Sequence, residues 1–261
     1  MTPVQVEKNR FKAAIAAGKH QIGIWSSLCS PIATEILVDA GFDWILFDAE
    51  HSPVEIADLY ALLQAAGRGG TSPAVRLAWN DKVMIKRALD IGAQTLLIPF
   101  IQNADEARAA VAATRYPPDG IRGVAGSTRA SRYGRDKGYF TTAADNICLI
   151  AQVETREALG ELDSIAGVDG VDAVFIGPSD LAASMGHIGN PGHADVQGAI
   201  QDAATRLAGL GVPAGILAVT AQDARRYGDW GFTFVAAGVD TVLLTRATDQ
   251  LIGETRKSGT V

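Results

Sequence analysis

The 261-residue chain is 48% hydrophobic and 20% charged, a composition typical of a soluble globular protein that can bury a full core. A net charge of −6 and a sequence pI near 5.2 argue against nucleic acid or an anionic membrane as the main partner. The charged, amphipathic opening has no apolar core of secretory length, and no later segment approaches about 18 uninterrupted apolar residues, so we expect a cytoplasmic protein.

Short apolar stretches alternate with stretches of helical apolar spacing along the chain. The predicted strands are Gln21–Ser26, Trp44–Asp48, Ala74–Ala78, Thr95–Phe100, Ile147–Val153, Ala173–Ile176, Pro213–Val219 and Phe232–Ala236. The predicted helices are Val4–Ala17, Pro31–Ala40, Pro53–Ala66, Asp81–Ile91, Asn103–Thr114, Thr155–Ala166, one that begins near Ser179, Asp195–Leu210, Ala221–Trp230 and Val239–Ile252. This alternation predicts an α/β fold, a (β/α)8 TIM barrel with an N-terminal helix and a long loop after strand 4, in a single domain over residues 1–261.

That long loop, Arg115–Asn146, is rich in Arg, Gly and Pro and separates the fourth and fifth predicted strands. Long irregular segments inside a compact domain are commonly lids or binding loops. We therefore expect it to overhang the active face as a lid or to form an oligomer contact. A plain linker is the alternative.

The stretch from residue 171 to residue 191 contains the strand, turn and helix start on which the predicted site is centred. Ala173–Ile176 is apolar on both faces, as in a buried parallel strand, and Gly177 and Pro178 then break it. Ser179 and Asp180 follow at a predicted helix start, where free backbone N–H groups and a carboxylate can hold an anion and a metal. An ordinary Ser/Asp helix cap is the alternative interpretation.

Polar residues end several predicted strands, and in a barrel the carboxyl ends of all strands meet on one face. These residues are Asp48, Glu50, His51, Arg76, Gln152, Glu154, Ser179 and Asp180. We expect them to share one cavity.

Glu154 and Asp180 offer hard oxygen ligands from adjacent strands, which favours a catalytic Mg²⁺ or Mn²⁺ with open positions. The alternative for Glu154 is that it binds no metal and that the helix dipole simply favours a carboxylate near the helix start. Every lysine lies on a predicted helix or loop, so a Schiff base inside the barrel is not indicated.

His51 is the predicted general base, and either Asp48 or Asp90 could raise the basicity of its imidazole. A buried structural histidine is the alternative. Arg76 is predicted to stabilise an oxyanion or to bind a carboxylate, or else to form a structural ion pair. His20, His187 and His193 lack a partner pattern and are interpreted as loop histidines, with a place near the rim as the alternative for His187 because it follows the helix start after the sixth strand.

Cys29 and Cys148 lie far apart without metal spacing, so we expect reduced structural thiols. No glycine fingerprint for a nucleotide cofactor is present in the sequence.

Several longer segments, taken together, are specific for one protein family. They are FDWILFDAEHSP, VRLAWNDKVMIKRALDIGAQTLLIPFIQNADEA, TRYPPDGIRG, QVETREAL, VFIGPSDLAASMGHIGNP and FVAAGVDTVLL. From about Phe11 to Leu251 the chain closely resembles the metal-dependent (class II) pyruvate aldolases of the HpcH/HpaI family, the 4-hydroxy-2-oxoheptanedioate aldolase-like hydroxy ketoacid aldolases. The resemblance implies reversible cleavage of 4-hydroxy-2-oxo acids to pyruvate and an aldehyde through a metal-stabilised pyruvate enolate. It also implies a divalent cation (Mg²⁺, Mn²⁺ or Co²⁺) and a homohexamer built as a dimer of trimers.

By this resemblance His51 is the general base, Asp90 its partner and Arg76 the transition-state stabiliser. The implied metal ligands are Glu154 and Asp180. The implied substrate contacts are Arg76, Gln152, Ser179 and Asp180, with Asp48 and Glu50 completing the polar wall. The stretch GVAGSTRASRYGR is about one residue shorter than the family's usual loop, which bears on aldehyde specificity, and we expect Arg122 or Arg129 to influence that specificity.

Two rival functions remain. A metal-dependent lyase that decarboxylates a related oxo acid such as oxaloacetate would use the same ligands and the same enolate. A non-catalytic binding protein on a barrel scaffold would be expected to lack the base or a metal ligand, and this sequence keeps both.

Overall fold

Eight parallel strands close into a barrel in chain order in the computed structural model, which describes residues 5–257. The strands are β1 (Gln21–Ser26), β2 (Trp44–Asp48), β3 (Ser72–Arg76), β4 (Thr95–Ile98), β5 (Cys148–Val153), β6 (Ala173–Ile176), β7 (Ala214–Leu217) and β8 (Phe234–Val239). Their side chains are mostly buried because helices cover the outside of the barrel while side chains fill its inside. The predicted (β/α)8 barrel is confirmed.

Helices alternate with these strands around the barrel. They are α1 (Arg10–Ala16), α2 (Pro31–Val38), α3 (Ile56–Ala66), α4 (Lys82–Asp90), α5 (Ala104–Thr114), α6 (Tyr139–Asn146), α7 (Arg156–Gly160), α8 (Leu162–Ala166), α9 (Pro178–Ser184), α10 (Ala194–Leu210), α11 (Ala221–Asp229) and α12 (Asp240–Lys257). Among residues 5–257, no helix combines the length and the apolar character needed to cross a membrane.

Several predicted boundaries are wrong by a few residues. The first helix begins only at Arg10, because the side chain of Asn9 accepts the Lys12 N–H and caps it; Val4 lies outside the described residues. The helix predicted after the fifth strand is two short helices that meet at Glu161. β3 and β8 are displaced by about two residues from their predicted positions, within the usual uncertainty of element ends.

The amino-terminal end of the barrel is filled by large side chains. Phe11 of α1 packs edge-on against Phe234, with ring centroids 5.3 Å apart, and also contacts Trp44. Gly23 lies beside Trp44 and Gly215 beside Phe234 in the register of neighbouring strands. A Cβ atom on either glycine would collide with the neighbouring ring, so each glycine provides the space for one aromatic side chain.

The segment Arg115–Asn146 lies at the amino-terminal end of the barrel, which corrects the prediction of a lid. It follows α5, and a connection from a helix to the next strand is at the end opposite the carboxyl-terminal face. Arg129 of this segment lines a cavity of about 600 Å³ together with Ser72 and Thr95, which begin β3 and β4. The segment is partly ordered by α6 and by a single 3-10 turn at Arg129–Ser131.

Arg122 fixes this segment to the barrel. Its guanidinium is fully buried, donates to Asp90 at 3.0 Å and to the Tyr139 hydroxyl at 3.2 Å, and stacks over Tyr116. Arg122 and Arg129 therefore have structural contacts, and within one chain neither can select an aldehyde at the opposite face.

Candidate active site

A cavity of about 380 Å³ opens at the carboxyl-terminal face of the barrel. Its lining residues include Trp25, Ser27, Asp48, His51, Ser52, Arg76, Gln152, Glu154, Phe175, Gly177, Ser179, Asp180, Leu217, Val239 and Thr241. The structure thus brings together residues from the ends of seven strands, all but β4, as expected from the parallel barrel.

Arg76 is the central cation of this cavity. Its Nε and one terminal nitrogen donate to the two oxygens of Asp48 at 2.9 and 2.7 Å, and its other terminal nitrogen lies 2.8 Å from Glu50 Oε2. The guanidinium is only 8% exposed and lies over the Trp25 ring at 4.6 Å. Arg76 is therefore held rigidly in a bidentate pair, the geometry that arginine forms best with a carboxylate.

Asp48 organises the turn that carries His51. Burial raises the pKa of its carboxyl, but the hydrogen bonds and charge of Arg76 outweigh burial and hold that pKa below its usual value. Asp48 Oδ1 also accepts the backbone N–H groups of Glu50 at 3.0 Å and His51 at 3.3 Å. Its carboxylate thus positions the His51 backbone, and none of its hydrogen bonds reaches the imidazole.

His51 lies at the rim of the cavity, with 64% of its side chain exposed. Its nearest carboxylate is Glu50, whose Oε2 lies 3.9 Å from the imidazole Nε2. Burial raises the pKa of Glu50; the charge of Arg76 opposes this rise, while those of Asp48 and Asp180 add to it. Glu50, which was predicted only as part of the wall, is therefore the carboxylate nearest to the predicted base.

Asp90 is the one predicted site residue that the structure separates from the others. It ends α4 and accepts a hydrogen bond from Arg122, and the chain enters β4 from the amino-terminal end five residues later. His51 lies at the opposite end of the barrel. Any contact between Asp90 and His51 therefore requires two chains.

Glu154 is held by two hydrogen bonds. The Phe100 backbone N–H donates to its Oε1 at 2.9 Å, and the Gln152 side-chain amide donates to its Oε2. Burial raises the pKa of Glu154 to about 7; the Gln152 hydrogen bond opposes this rise, and the nearby charges of Asp180 and Glu50 add to it. Phe100 has a φ of +56°, a strained conformation for a residue with a Cβ, and this conformation directs its N–H at the carboxylate.

The residues around Glu154 fit a hard divalent cation. Glu154 and Asp180 offer carboxylate oxygens, and the Gln152 Oε1 atom is buried without a hydrogen-bond partner. Oxygen ligands of this kind suit Mg²⁺ or Mn²⁺. A cation here would also neutralise the repulsion that contributes to the raised pKa of Glu154.

Ser179 and Asp180 do not cap α9, which decides against the alternative interpretation of this turn. Gly177 occupies the N-cap position, Pro178 begins the helix, and no side chain makes a capping hydrogen bond. Both Ser179 and Asp180 are exposed and line the cavity, so their polar groups face the space where a ligand would lie.

Sequence reasoning missed two residues that shape the site. Trp25 stacks on Arg76 and donates to Asp48 at 3.2 Å. Its place near the end of the first predicted strand could have identified it. Phe100 was predicted only as a strand end, because its left-handed backbone has no signal in the sequence.

Gly177 leaves the space that the Glu154 carboxylate occupies. A Cβ on Gly177 would lie 2.8 Å from Glu154 Cβ and closer still to Oε2. We expect Gly177→Ala to displace the carboxylate and to weaken divalent-metal binding by roughly 10–100-fold, the usual effect of disturbing the support of a ligand. Titration of the metal-free protein with Mn²⁺ would measure the change. Gly198→Ala in α10, where a Cβ meets nothing within 4 Å, is the control; equal Mn²⁺ affinity in the two folded variants would contradict the assignment.

Comparisons with known proteins find aldolases that match nearly the whole chain. The chain is 54% identical to a pyruvate aldolase from Rhizobium etli over 248 residues, which cover 95% of this chain and 98% of the relative. It is 53% identical to a 4-hydroxy-2-oxo-heptane-1,7-dioate aldolase from Klebsiella pneumoniae, covering 93% of this chain and 92% of the relative.

A solved structure with the same fold is that of an HpcH/HpaI aldolase/citrate lyase family protein from Burkholderia cenocepacia. It superposes with a TM-score of 0.92 at 38% identity and covers 95% of this chain and 99% of its own. The family model for HpcH/HpaI aldolase/citrate lyase matches residues 21–247, from the first strand into the last helix. The chain therefore belongs to the HpcH/HpaI aldolase/citrate lyase family.

Proposed function

We propose that this protein is a divalent-metal-dependent aldehyde-lyase that reversibly cleaves 4-hydroxy-2-oxo carboxylic acids to pyruvate and an aldehyde. The observation that carries the proposal is the cavity that joins Arg76, His51 and the carboxylates of Glu154 and Asp180. Relatives more than 50% identical over nearly the whole chain are named pyruvate aldolase and 4-hydroxy-2-oxo-heptane-1,7-dioate aldolase. No lysine is among the residues that line this cavity, which argues against a Schiff base with the substrate.

Arg76 is suited to hold the oxo-acid half of the substrate. Two of its N–H donors are used by Asp48, a third nitrogen forms an ion pair with Glu50, and the remaining donors can bind a carboxylate or keto oxygen. Because two carboxylates hold the guanidinium in place, little reorganisation is needed when negative charge develops on the substrate. Ser179, at the exposed start of α9, lines the same cavity and can add a hydroxyl hydrogen bond.

His51 is suited to move the proton of the substrate's C4 hydroxyl group. Cleavage of the C3–C4 bond requires loss of this proton, and aldol addition requires its return. The imidazole lies at the open rim, where the aldehyde half would enter or leave. Its backbone is fixed by Asp48, so the ring can turn without displacing the rest of the site.

Glu154 and Asp180 would hold the divalent cation, and the Gln152 Oε1 atom faces the same region without a partner. A cation bound there would supply Lewis-acid stabilisation of the negative charge that cleavage leaves on the pyruvate half. Gln152 also keeps the Glu154 carboxylate oriented through its amide N–H.

Removal of the metal tests this function. Exhaustive chelation should abolish cleavage, and Mg²⁺, Mn²⁺ or Co²⁺ should restore it. Full activity after chelation, or borohydride trapping of pyruvate on a lysine, would contradict the proposal. Rates on oxaloacetate measured in parallel would reveal a decarboxylase instead.

The pH dependence of metal uptake provides a second test of the same ligands. The raised pKa of Glu154, about 7, means that the metal-free protein keeps this proton at pH values where an exposed glutamate has lost it. Because the ligand must be ionised, apparent Mn²⁺ affinity should rise as the pH approaches about 7 and then level off. Calorimetry in buffers of different ionisation enthalpy would count the protons that are released when the metal binds at pH 6. Mn²⁺ affinity that does not change between pH 5 and pH 8 would contradict the assignment of Glu154 as a ligand.

We also propose that the chain forms a homohexamer built as a dimer of trimers in which α12 packs against a neighbouring chain. The support is a set of large apolar side chains on α12 that are 46–67% exposed: Leu243, Leu244, Leu251 and Ile252. Exposed apolar groups clustered on one helix are typical of an interface. Native mass spectrometry would give the number of chains.

A further inference from the structure

Two of the four histidines of the chain meet in the connection between α9 and α10, away from the active-site cavity. His187 lies three residues after the end of α9, His193 caps α10, and Asp195 lies in the first turn of α10. We infer that His187, His193 and Asp195 form a second metal site, one that takes a divalent transition-metal ion such as Zn²⁺.

The distances between the three groups fit such an ion. Asp195 Oδ2 lies 3.4 Å from His187 Nε2 and 3.7 Å from His193 Nδ1, and one ligand atom from each residue falls within 4.8 Å of the others. Ligands bound at about 2.0–2.2 Å around a tetrahedral Zn²⁺ lie about 3.3–3.6 Å apart. The three ligand atoms are therefore already at about the spacing that one ion requires, and water can complete the tetrahedron.

Binding requires two local changes. The imidazole rings are stacked, with centroids 3.6 Å apart and planes 14° from parallel, so they must rotate apart before both nitrogen lone pairs point at one ion. His193 Nδ1 now accepts the Asp195 backbone N–H at 3.2 Å, and the ion would replace this hydrogen bond. The released N–H lies at the exposed first turn of α10, where water can satisfy it.

The backbone that carries the two histidines is already fixed. The His187 N–H donates to Ala182 O at 2.7 Å, and the His193 N–H donates to Asn190 O at 3.1 Å. The His187 side chain is only 25% exposed. Less backbone entropy is therefore lost on binding than if the site formed from a flexible loop.

The chemistry of this site differs from that of Glu154 and Asp180. Imidazole nitrogens favour Zn²⁺, Ni²⁺ or Co²⁺, whereas carboxylate oxygens alone favour Mg²⁺ or Mn²⁺. None of the three residues lines the active-site cavity. An ion here would connect the end of α9, the helix that carries Asp180, to the start of α10.

Metal analysis in a Glu154→Gln background, which removes a carboxylate of the first site, tests the inference. After equilibrium dialysis against Zn²⁺ with excess Mg²⁺, the Glu154→Gln protein should retain one equivalent of Zn²⁺ per chain. Adding His187→Ala and His193→Ala should remove that equivalent, whereas adding His20→Ala, which changes an exposed histidine elsewhere, should not. Equal Zn²⁺ content with and without the two substitutions would overturn the inference.

Spectroscopy with Co²⁺ keeps the test independent of folding defects. Co²⁺ bound by two imidazoles and a carboxylate in a tetrahedral site should give intense visible absorption, and an octahedral oxygen site should give only weak bands. Asp195→Asn, which keeps both rings, should weaken Co²⁺ binding and reduce the metal-induced rise in Tm relative to the same protein without metal. Two results would also overturn the inference: intense bands that persist in the double variant His187→Ala and His193→Ala, or only weak bands in the protein that keeps all three ligands.

Discussion

Replacing His51 with alanine is expected to lower turnover by roughly 10²–10⁴-fold, the usual contribution of a positioned proton-transfer group. The fold, bound metal and pyruvate affinity should remain largely intact. The imidazole is 64% exposed and its only ionic neighbour among the described residues is Glu50 at 3.9 Å, so little packing is lost. Steady-state cleavage rates together with metal content would measure the effect, and His20→Ala is the matched control for loss of an exposed histidine.

Near-normal turnover of a metal-loaded His51→Ala protein would show that another group is the base. Glu50, the carboxylate nearest to the imidazole, would then be the first candidate. Asp90→Asn distinguishes the possible partners of His51. Within one chain this change removes only the partner of buried Arg122, so it should lower stability and leave the pH profile of cleavage unchanged. A shifted pH profile would instead indicate that Asp90 reaches His51 of another chain.

Replacing Arg76 with alanine should damage both stability and catalysis. Asp48 would lose its two bidentate hydrogen bonds and Glu50 its ion pair, leaving buried carboxylates without a cation. Removing one partner of a buried pair typically costs about 3–5 kcal/mol in the free energy of unfolding. Cleavage should be impaired at every pH, because the lost charge is permanent and does not titrate. Urea unfolding and cleavage rates across pH would measure the two effects.

Arg76→Lys separates charge from geometry. Lysine keeps the positive charge but cannot form the bidentate pair with Asp48 or stack on Trp25 in the same way. It should therefore recover part of the stability and less of the turnover. Arg68→Ala, which removes an exposed ion pair with Glu35, is the control and should change stability little. Wild-type stability in Arg76→Ala would refute the role of Arg76 as the central cation.

The barrel was predictable because its strands are apolar on both faces and are separated by amphipathic helices. The composition of the cavity was predictable for the same reason, since the residues that follow parallel strands must meet at one end. Both inferences depend only on local pattern and chain order. His51, Arg76, Glu154 and Asp180 accordingly line one cavity, as expected.

The errors arose where the direction of the chain or a backbone angle decided the outcome. The segment Arg115–Asn146 was placed at the active face because it lies between two strands, although it follows a helix and so belongs to the other end. The same topology separates Asp90, at the end of α4, from His51. The left-handed conformation of Phe100 is a product of tertiary packing, and a phenylalanine in the sequence does not predict it.

The pairing of Gly23 with Trp44 and of Gly215 with Phe234 restricts how this barrel can be altered by directed evolution. A library that varies only the glycines would contain mostly destabilised members, because any added carbon meets an aromatic ring and overpacking typically costs about 1–3 kcal/mol. A library that shrinks only the rings would leave voids at the amino-terminal end of the barrel. Productive variants must exchange volume across each pair, for example a small aliphatic residue for the glycine together with a smaller side chain for its aromatic neighbour. The two pairs should therefore co-vary among descendants of this sequence, even though neither touches the substrate.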